Sequence, residues 1–148
     1  MHFLPVTAKN KKEVLSLKVN KEQINFIETV EDCIKEAEEI PYWRTIAIYD
    51  NETIIGFAMY GFFPHELPSG RLWLDRILID KKYQKKGYGK KAVSLLIKRL
   101  KEEYPPQKIY LSVVEQNKVA IKLYYSFGFQ FTGELDTKGE KIMCLLPV

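Results

Sequence analysis

The sequence predicts one α+β domain, in which helices flank a mixed, mostly antiparallel central sheet in a three-layer α/β arrangement. Three observations predict this fold. Apolar residues recur at helical intervals in separate regions, and β-rich apolar runs joined by turn residues lie between and after them. One strand–helix–strand succession at residues 73–114 also requires a parallel crossover. The 148 residues match the usual size of a single domain, 1–148, and no linker or repeat divides them.

The first forty residues are predicted to be helical, with a break near Asn20, and Pro41 ends this region. The prediction rests on apolar residues at helix-like intervals, namely Val14, Leu15, Leu17, Ile24, Ile27 and Ile34.

Three strands are predicted next. Residues 45–49 and Thr53–Phe63 are apolar and β-rich, and a turn at 51–52 joins them. A loop with two prolines and a glycine then leads to a strand at 73–79.

The second half of the chain predicts a helix after the loop at 80–88 and a strand at 108–114. A short helix at 117–127 and a hairpin of strands at 129–135 and 141–146 follow. The first of these helices has a one-sided apolar stripe, formed by Val93, Leu96, Ile97 and Leu100.

Composition excludes several classes of protein. Hydrophobic residues make up 46% of the chain, enough for a core without disulfides or metals. No apolar stretch approaches the roughly 20 residues that span a bilayer, and residues 1–5 do not resemble a secretory signal. Cys33 and Cys144 form no C-x-x-C pair, and His2 and His65 stand alone. The sequence therefore predicts a cytoplasmic protein with no metal site and no membrane association.

Charge is unevenly distributed, although the net charge is only +4. Residues 81–101 contain nine cations and no acid, whereas residues 28–39 contain six acids and Lys35. Such runs are usually solvated helix faces. They are also compatible with a basic site for an anion and an acidic region for a cation, and charge alone does not decide.

A glycine loop at residues 84–89 separates the strand at 73–79 from the following helix. Glycines let backbone N–H groups approach a ligand, and a helix N-terminus favours phosphate. The loop therefore predicts a pyrophosphate site, and the alternative is a surface turn with solvated lysines. Four lysines crowd this end of the helix, where cations are unfavourable unless a polyanion binds: Lys85, Lys86, Lys90 and Lys91.

Two other phosphate motifs fit less well. A P-loop requires Ser or Thr after Gly-Lys and a glycine five places earlier, and Gly89-Lys90 has neither. The dinucleotide pattern G-x-G-x-x-A is satisfied at 87–92, with Glu115 where a ribose-binding acid is expected. Against it, the loop at 80–86 is too long for the tight turn of that fold, and no further strand–helix units follow.

These features together resemble the GCN5-related N-acetyltransferases, the GNAT family. The order and spacing agree from Phe3 to Leu146 and are most specific between Trp73 and Phe129. Among members, the chain looks most like bacterial spermine/spermidine acetyltransferases, through residues 73–76 and 56–60. The resemblance implies a GNAT-like sheet and an acetyl-CoA-dependent N-acetyltransferase. It is carried by Gln84-x-x-Gly87-x-Gly89, Asn117 and Leu123-Tyr124-x-x-x-Gly128-Phe129.

The resemblance also implies positions for acetyl-CoA. Backbone groups of Ile77 and Ile79 would pair with the pantetheine arm like an added strand, and an N–H near Ile77 or Leu78 would face the oxyanion that develops on the thioester. Asn117 would hydrogen-bond the pantetheine or its neighbouring backbone. Gln84 replaces the commoner Arg, which removes one cation from the site. The pyrophosphate would lie in the loop formed by Gln84, Lys85, Lys86, Gly87, Tyr88, Gly89 and Lys90.

Amine acetylation makes two chemical demands. A primary amine with a pKa of about 10 must lose a proton, and the departing thiolate must be stabilised. Tyr124, which the resemblance places beside the sulfur, can donate its phenolic proton. Asp75 and Glu115 are the candidate bases, or attract a cationic acceptor. The alternatives are an ordinary helix tyrosine and structural salt bridges, for example between Asp75 and Arg76.

The acceptor is expected on the other side of the cleft. Glu28, Glu31 and Asp32 belong to the N-terminal helical region, which the resemblance places along the acceptor pocket. With Asp75 they would form an acidic mouth for a polycation, and Trp43 would add an apolar or cation–π wall. The alternatives are a solvated acidic face and a core tryptophan.

The predicted function is transfer of acetyl from acetyl-CoA to a primary amine of a small molecule, a polyamine such as spermidine or spermine, by direct attack in a ternary complex. The alternatives are acetylation of a protein N-terminus, a lysine or an aminoglycoside, and binding of acetyl-CoA without turnover. No nucleic-acid partner is expected, because the lysine cluster is compact and lacks aromatic platforms beyond Tyr83 and Tyr88. Dimers are common in the family, so a homodimer is compatible with the resemblance.

Overall fold

The structure is a computed structural model that describes residues 1–18 and 29–147. No helix within these ranges is long and apolar enough to cross a membrane. The strands are β1 His2–Pro5, β2 Trp43–Asp50, β3 Thr53–Phe63, β4 Arg71–Ile79, β5 Ile109–Val113, β6 Gln130–Leu135 and β7 Lys141–Leu145. The helices are α1 Lys11–Leu15, α2 Val30–Glu39, α3 Tyr88–Glu103 and α4 Lys118–Ser126.

The described strands form one seven-stranded sheet in the order β1-β2-β3-β4-β5-β7-β6. Neighbouring strands pair antiparallel, except β4 and β5, which run parallel and are connected through α3. This topology confirms the predicted α+β domain with one parallel crossover in a mostly antiparallel sheet. The bounds of β3 agree with the prediction because its turn and its β-rich run are both local in sequence.

The helical prediction for the N-terminus is wrong at its first residues, because His2–Pro5 form an edge strand paired with β2. Phe3 packs partly buried against the core from this strand. Four residues are too few to show a periodicity, and pairing with β2 decides their conformation. Ile24 and Ile27, on which the helical prediction also rested, lie outside the described residues.

Each face of the sheet carries its own core. The larger core lies under α3 and α4 and includes Val93, Leu96 and Leu100 of the predicted apolar stripe. The smaller core lies under α1 and α2, around Val14 and Cys33. The sheet therefore has helices on both faces, as the three-layer prediction requires.

A β-bulge at Asp75 divides β4 into two halves. Met59 of β3 is opposite Arg76 and Tyr60 is opposite Leu74, so Asp75 is an extra residue in the ladder. A bulge shifts the alternation of a strand by one residue. Leu74 accordingly packs in the α3-side core before the bulge, whereas Leu78, four residues later, packs in the α2-side core.

Candidate active site

The sheet is open between the second half of β4 and β5. These strands pair at two positions only, the second of which joins Trp73 to Tyr110, just before the bulge. Beyond Trp73 the two strands diverge, although β5 continues to Val113. We call this space the β4–β5 gap.

The backbone of β4 presents open hydrogen-bonding groups to the β4–β5 gap. Asp80 donates its N–H to the carbonyl of Ile55 at 2.8 Å. In an antiparallel ladder the direction of these groups alternates, so those of Leu78 face β3 and those of Ile77 and Ile79 face the gap. Ile77 and Ile79 therefore lie where an added extended chain would pair, although the carbonyl of Ile79 already accepts from the side chain of Gln84, whereas the backbone of Leu78 is engaged with β3.

The glycine loop leaves backbone donors open at the start of α3. Gly87 has a φ of 83° and caps this helix, and Lys85 has a φ of 63°. Helix geometry gives the N–H groups of Tyr88, Gly89 and Lys90 no acceptor in a preceding turn. A Cβ atom at Gly87 or Gly89 would meet no protein atom within 4 Å. Protein packing therefore does not require glycine at position 89, whereas close approach of an anion to the backbone does.

Polar side chains hold the glycine loop and the start of α4. Gln84 donates its Nε2 to the carbonyl of Ile79 at 2.8 Å, and Tyr88 donates its hydroxyl to Asp50 at 2.7 Å. The hydrogen bond to Asp50 raises the pKa of Tyr88. Asn117 caps α4, its Oδ1 accepting a backbone N–H of the first turn at 3.2 Å, so its amide N–H groups are what it can offer a ligand. The exposed cations beside the open donors are Lys85, Lys86, Lys90 and Lys91, and together these groups fit a diphosphate.

Tyr124 provides a protonated phenol next to the β4–β5 gap. It packs from α4 against the α3-side core, where Ile77 of β4 also packs. Its ring contacts that of Phe129, with centroids 5.8 Å apart. Burial raises the pKa of Tyr124 to about 12, and the nearby charge of Arg76 opposes this rise. The phenol is therefore a proton donor, not an anion, at neutral pH.

A cleft of about 530 Å³ opens on the α2 side of the sheet, over the bulge. Trp43 of β2, Trp73 of β4 and Ser112 of β5 line it, together with the loop after β3 and the β6–β7 hairpin. We call it the acidic cleft, because its described lining holds six acids and three cations. The acids are Glu36, Glu66, Asp75, Glu134, Asp136 and Glu140, and the cations are Arg71, Arg76 and Lys138.

One wall of the acidic cleft already holds a cation between aromatic rings and carboxylates. Trp73 donates its Nε1 to Glu66 at 2.6 Å, and its ring lies 5.5 Å from that of Tyr110. The guanidinium of Arg71 lies 4.3 Å from the centroid of the Tyr110 ring and pairs with Glu134 at 3.1 Å. The same combination of ring faces and carboxylates suits an ammonium ligand.

The two predicted base candidates have different surroundings. Asp75 lines the acidic cleft at the bulge. Glu115 instead pairs with Lys141 at 3.1 Å, with most of its side chain exposed. The structure thus gives Asp75, but not Glu115, access to a ligand in the cleft.

The predicted acceptor residues are only partly brought together. Trp43 lines the acidic cleft. Glu31 lies exposed on α2 and pairs with Lys35 at 3.4 Å, and Asp32 is exposed in the first turn of the same helix, so neither lines the cleft. Glu28 lies outside the described residues.

Other acids that sequence reasoning missed take these places. Glu36 lies on nearly the same face of α2 as Asp32 but one turn farther along the helix, and this position brings it to the cleft. The hairpin supplies Glu134, Asp136 and Glu140, three acids within seven residues around a turn. This cluster of acids was the signal in the sequence that could have pointed to the hairpin, although nothing in the sequence places the hairpin beside β4.

The arrangement unites four capabilities around one gap. It offers an anion site, an open strand edge, a phenolic proton donor and a cleft that attracts cations. These groups can bind an extended ligand that has a phosphate end, and the cleft can attract a cation on the α2 side.

Comparison with known proteins is consistent across sequence and structure. A family model described as acetyltransferase (GNAT) family matches residues 13–129. The spermine/spermidine N(1)-acetyltransferase of Bacillus subtilis (strain 168) is 46% identical over 141 residues, 93% of each chain. A protein of Bacillus subtilis subsp. natto named probable spermine N(1)-acetyltransferase is 47% identical over 141 residues, again 93% of each chain.

Solved structures share the fold at lower identity. A chimera of the spermidine N-acetyltransferase SpeG from Vibrio cholerae and hSSAT has a TM-score of 0.73 at 19% identity, covering 99% of this chain and 96% of that one. The PaiA N-acetyltransferase from Thermoplasma acidophilum, in complex with coenzyme A, has a TM-score of 0.65 at 18% identity, covering 98% of each chain.

Proposed function

The chain belongs to the GNAT family of acetyltransferases, and from this premise we propose that it transfers the acetyl group of acetyl-CoA to a primary amine of a polyamine such as spermidine or spermine. The observation that carries the polyamine assignment is the acidic cleft beside the β4–β5 gap. Its excess of carboxylates and its tryptophan wall suit a flexible ligand with several ammonium groups. The names of the two Bacillus relatives support the same substrate class.

The coenzyme is assigned to the glycine loop and the β4–β5 gap. The open N–H groups of Tyr88, Gly89 and Lys90 would hold the diphosphate, and the neighbouring lysines would balance its charge. Backbone groups of Ile77 and Ile79 would hold the pantetheine arm as an added strand. Acetyl-CoA supplies an activated thioester, so no further cofactor is required for the transfer.

The residues at the gap would divide the proton chemistry between two faces of the sheet. On the α2 side, the carboxylate of Asp75 accepts a proton from the acceptor ammonium, directly or through water, which leaves a neutral nitrogen able to attack. On the α3 side, the phenol of Tyr124 donates a proton to the departing sulfur. Both substrates are bound at once in this scheme, so transfer is direct.

The substrate assignment is tested by thiol release from acetyl-CoA with spermidine, spermine, a lysine peptide, a peptide N-terminus and an aminoglycoside. We expect the highest kcat/KM with the polyamines and a mass increase of one acetyl group on the product. Release of thiol with a peptide or an aminoglycoside but with neither polyamine would reject the polyamine assignment while retaining the acetyltransferase.

Replacing Glu36 with glutamine should raise the KM for spermidine about 2- to 5-fold, with little change in kcat. The carboxylate faces the acidic cleft, and one partly exposed charge contributes up to about 1 kcal/mol to an ion pair. The effect should diminish as salt rises, because screening weakens the attraction. Glu31→Gln on the same helix is the matched control, since Glu31 lies away from the cleft. A larger rise in KM for E31Q than for E36Q would place the polyamine elsewhere.

A further inference from the structure

Arg76 stands at the point where β4 leaves β5. It follows the bulge residue Asp75, and its Nη1 donates to the carbonyl of Asp75 at 3.0 Å. The shifted alternation turns Arg76 to the α2 side, where it lines the acidic cleft together with Ser112 of β5. Its guanidinium therefore borders the β4–β5 gap on the side from which the acceptor approaches.

Tyr124 borders the same gap from the other face. Like Ile77, the residue after Arg76, it packs against the α3-side core. No backbone pairing closes the sheet between them, because β4 and β5 separate after Trp73. The charge of Arg76 is felt at the phenol, where it lowers the pKa of Tyr124 against the dominant effect of burial.

The acidic cleft holds charges of both signs near this position. Carboxylates attract a polycation, whereas a cation favours negative charge on a phenol or sulfur nearby. The charged groups that share the cleft with Arg76 are the six acids named above, Arg71 and Lys138, which come from α2, the β3–β4 loop, β4 and the hairpin.

We propose that Arg76 is a positioning residue that acts through Tyr124, its guanidinium stabilising the negative charge that the phenol oxygen gains as its proton passes to the departing sulfur. The inference rests on the proposed function, in which Tyr124 is the acid. It assigns different tasks to the two signs of charge in one cleft: carboxylates collect the cationic substrate, and Arg76 stabilises the charge of the acid.

The step balances without any further reactant. The amine nitrogen forms a bond to the acetyl carbon, and the carbon–sulfur bond breaks with its electron pair going to sulfur. The Tyr124 proton converts the sulfur to a free thiol and leaves a phenolate beside Arg76. The amine proton leaves through Asp75 or water, and solvent returns one proton to the phenolate.

A double-mutant cycle tests whether Arg76 acts through Tyr124. Arg76→Met removes the charge and keeps most of the side chain, and we expect kcat to fall about 10-fold, a loss of about 1.4 kcal/mol of transition-state stabilisation. In a Tyr124→Phe background the same replacement should change kcat by less than about 2-fold, since no phenol is left to stabilise. Equal losses in both backgrounds would overturn the proposal.

Matched variants distinguish the loss of the Arg76 charge from a general structural effect of substitution in the cleft. Arg71→Met removes another cation of the same cleft, whose guanidinium contacts Tyr110 and Glu134, and its effect should be equal in both backgrounds. Arg76→Lys should recover part of the lost rate, and Arg76→Gln replaces Arg76→Met in the cycle if the latter unfolds. Failure of R76K to exceed R76M would count against a role for the charge.

The cycle also separates this inference from the proposed function. It is run with whichever amine the wild-type protein acetylates fastest, so a wrong polyamine assignment does not affect it. Full activity of Tyr124→Phe would remove both the acid and the inference while leaving the acetyltransferase, and no thiol release with any amine would remove all three.

Discussion

Replacing Tyr124 with phenylalanine should lower kcat about 10²- to 10⁴-fold, the usual contribution of a general acid, while the KM for acetyl-CoA changes little. The substitution deletes one oxygen and preserves the ring contact with Phe129. Burial holds the pKa of Tyr124 at about 12, so the wild-type phenol remains protonated well above neutral pH. The wild-type kcat should therefore show no loss near pH 10, the ordinary pKa of a tyrosine.

Steady-state kinetics between about pH 7 and pH 10 measure this effect. Tyr125→Phe is the control, because Tyr125 is exposed on the same helix and should be replaceable at no cost to kcat. Coenzyme affinity measured by calorimetry should be similar in Y124F and the wild type. A fall in kcat equal to that of Y125F would exclude Tyr124 as the acid.

Replacing Gly89 with alanine should stabilise the fold and impair the enzyme. Gly89 lies in the first turn of α3, where alanine is a better helix former by up to about 1 kcal/mol, and a Cβ there meets no protein atom within 4 Å. The new methyl group would instead occupy the space through which a diphosphate approaches the N–H groups. We expect the KM for acetyl-CoA to rise roughly 10- to 100-fold, a loss of about 1.4 to 2.7 kcal/mol of binding free energy.

Thermal unfolding and coenzyme titration distinguish the two effects of G89A. Ser94→Ala, at an exposed position of the same helix, should also stabilise α3 but leave coenzyme affinity unchanged. A graded loss from Gly89→Ala to Gly89→Leu is expected if the obstruction is steric. Unchanged affinity in both Gly89 variants would contradict the assignment of the diphosphate to this loop.

Local signals explain how much of the fold the sequence predicts. The run from Thr53 to Phe63 and its preceding turn define β3 without reference to the rest of the chain. The apolar stripe of α3 and the turn at 136–139 are equally local. His2–Pro5 is different, because four residues take their conformation from their partner β2.

The candidate site likewise has parts that local sequence predicts and parts that it does not. Tyr124 and the glycine loop each belong to a short motif that is contiguous in sequence, so spacing identifies them, although their roles stay predictions. The acidic cleft is assembled from α2, the β3–β4 loop, β4 and the hairpin, which lie far apart in sequence. An acidic run drew attention to Glu31 and Asp32, but Glu36, one turn beyond Asp32 along the helix, is the residue that lines the cleft.

The extra residue at Asp75 has a consequence for how such a sheet changes over time. Were Asp75 to take an ordinary place in the ladder, every side chain after it would exchange one side of the sheet for the other. Leu78 and Ile79 would leave their present cores together, and Arg76 would turn away from the acidic cleft. Deletion of Asp75 itself has no such effect, because Leu74 stays opposite Tyr60 and Arg76 stays opposite Met59. Loss of the extra residue is thus tolerable to the packing, whereas a one-residue deletion farther along β4 exchanges the faces of all that follows.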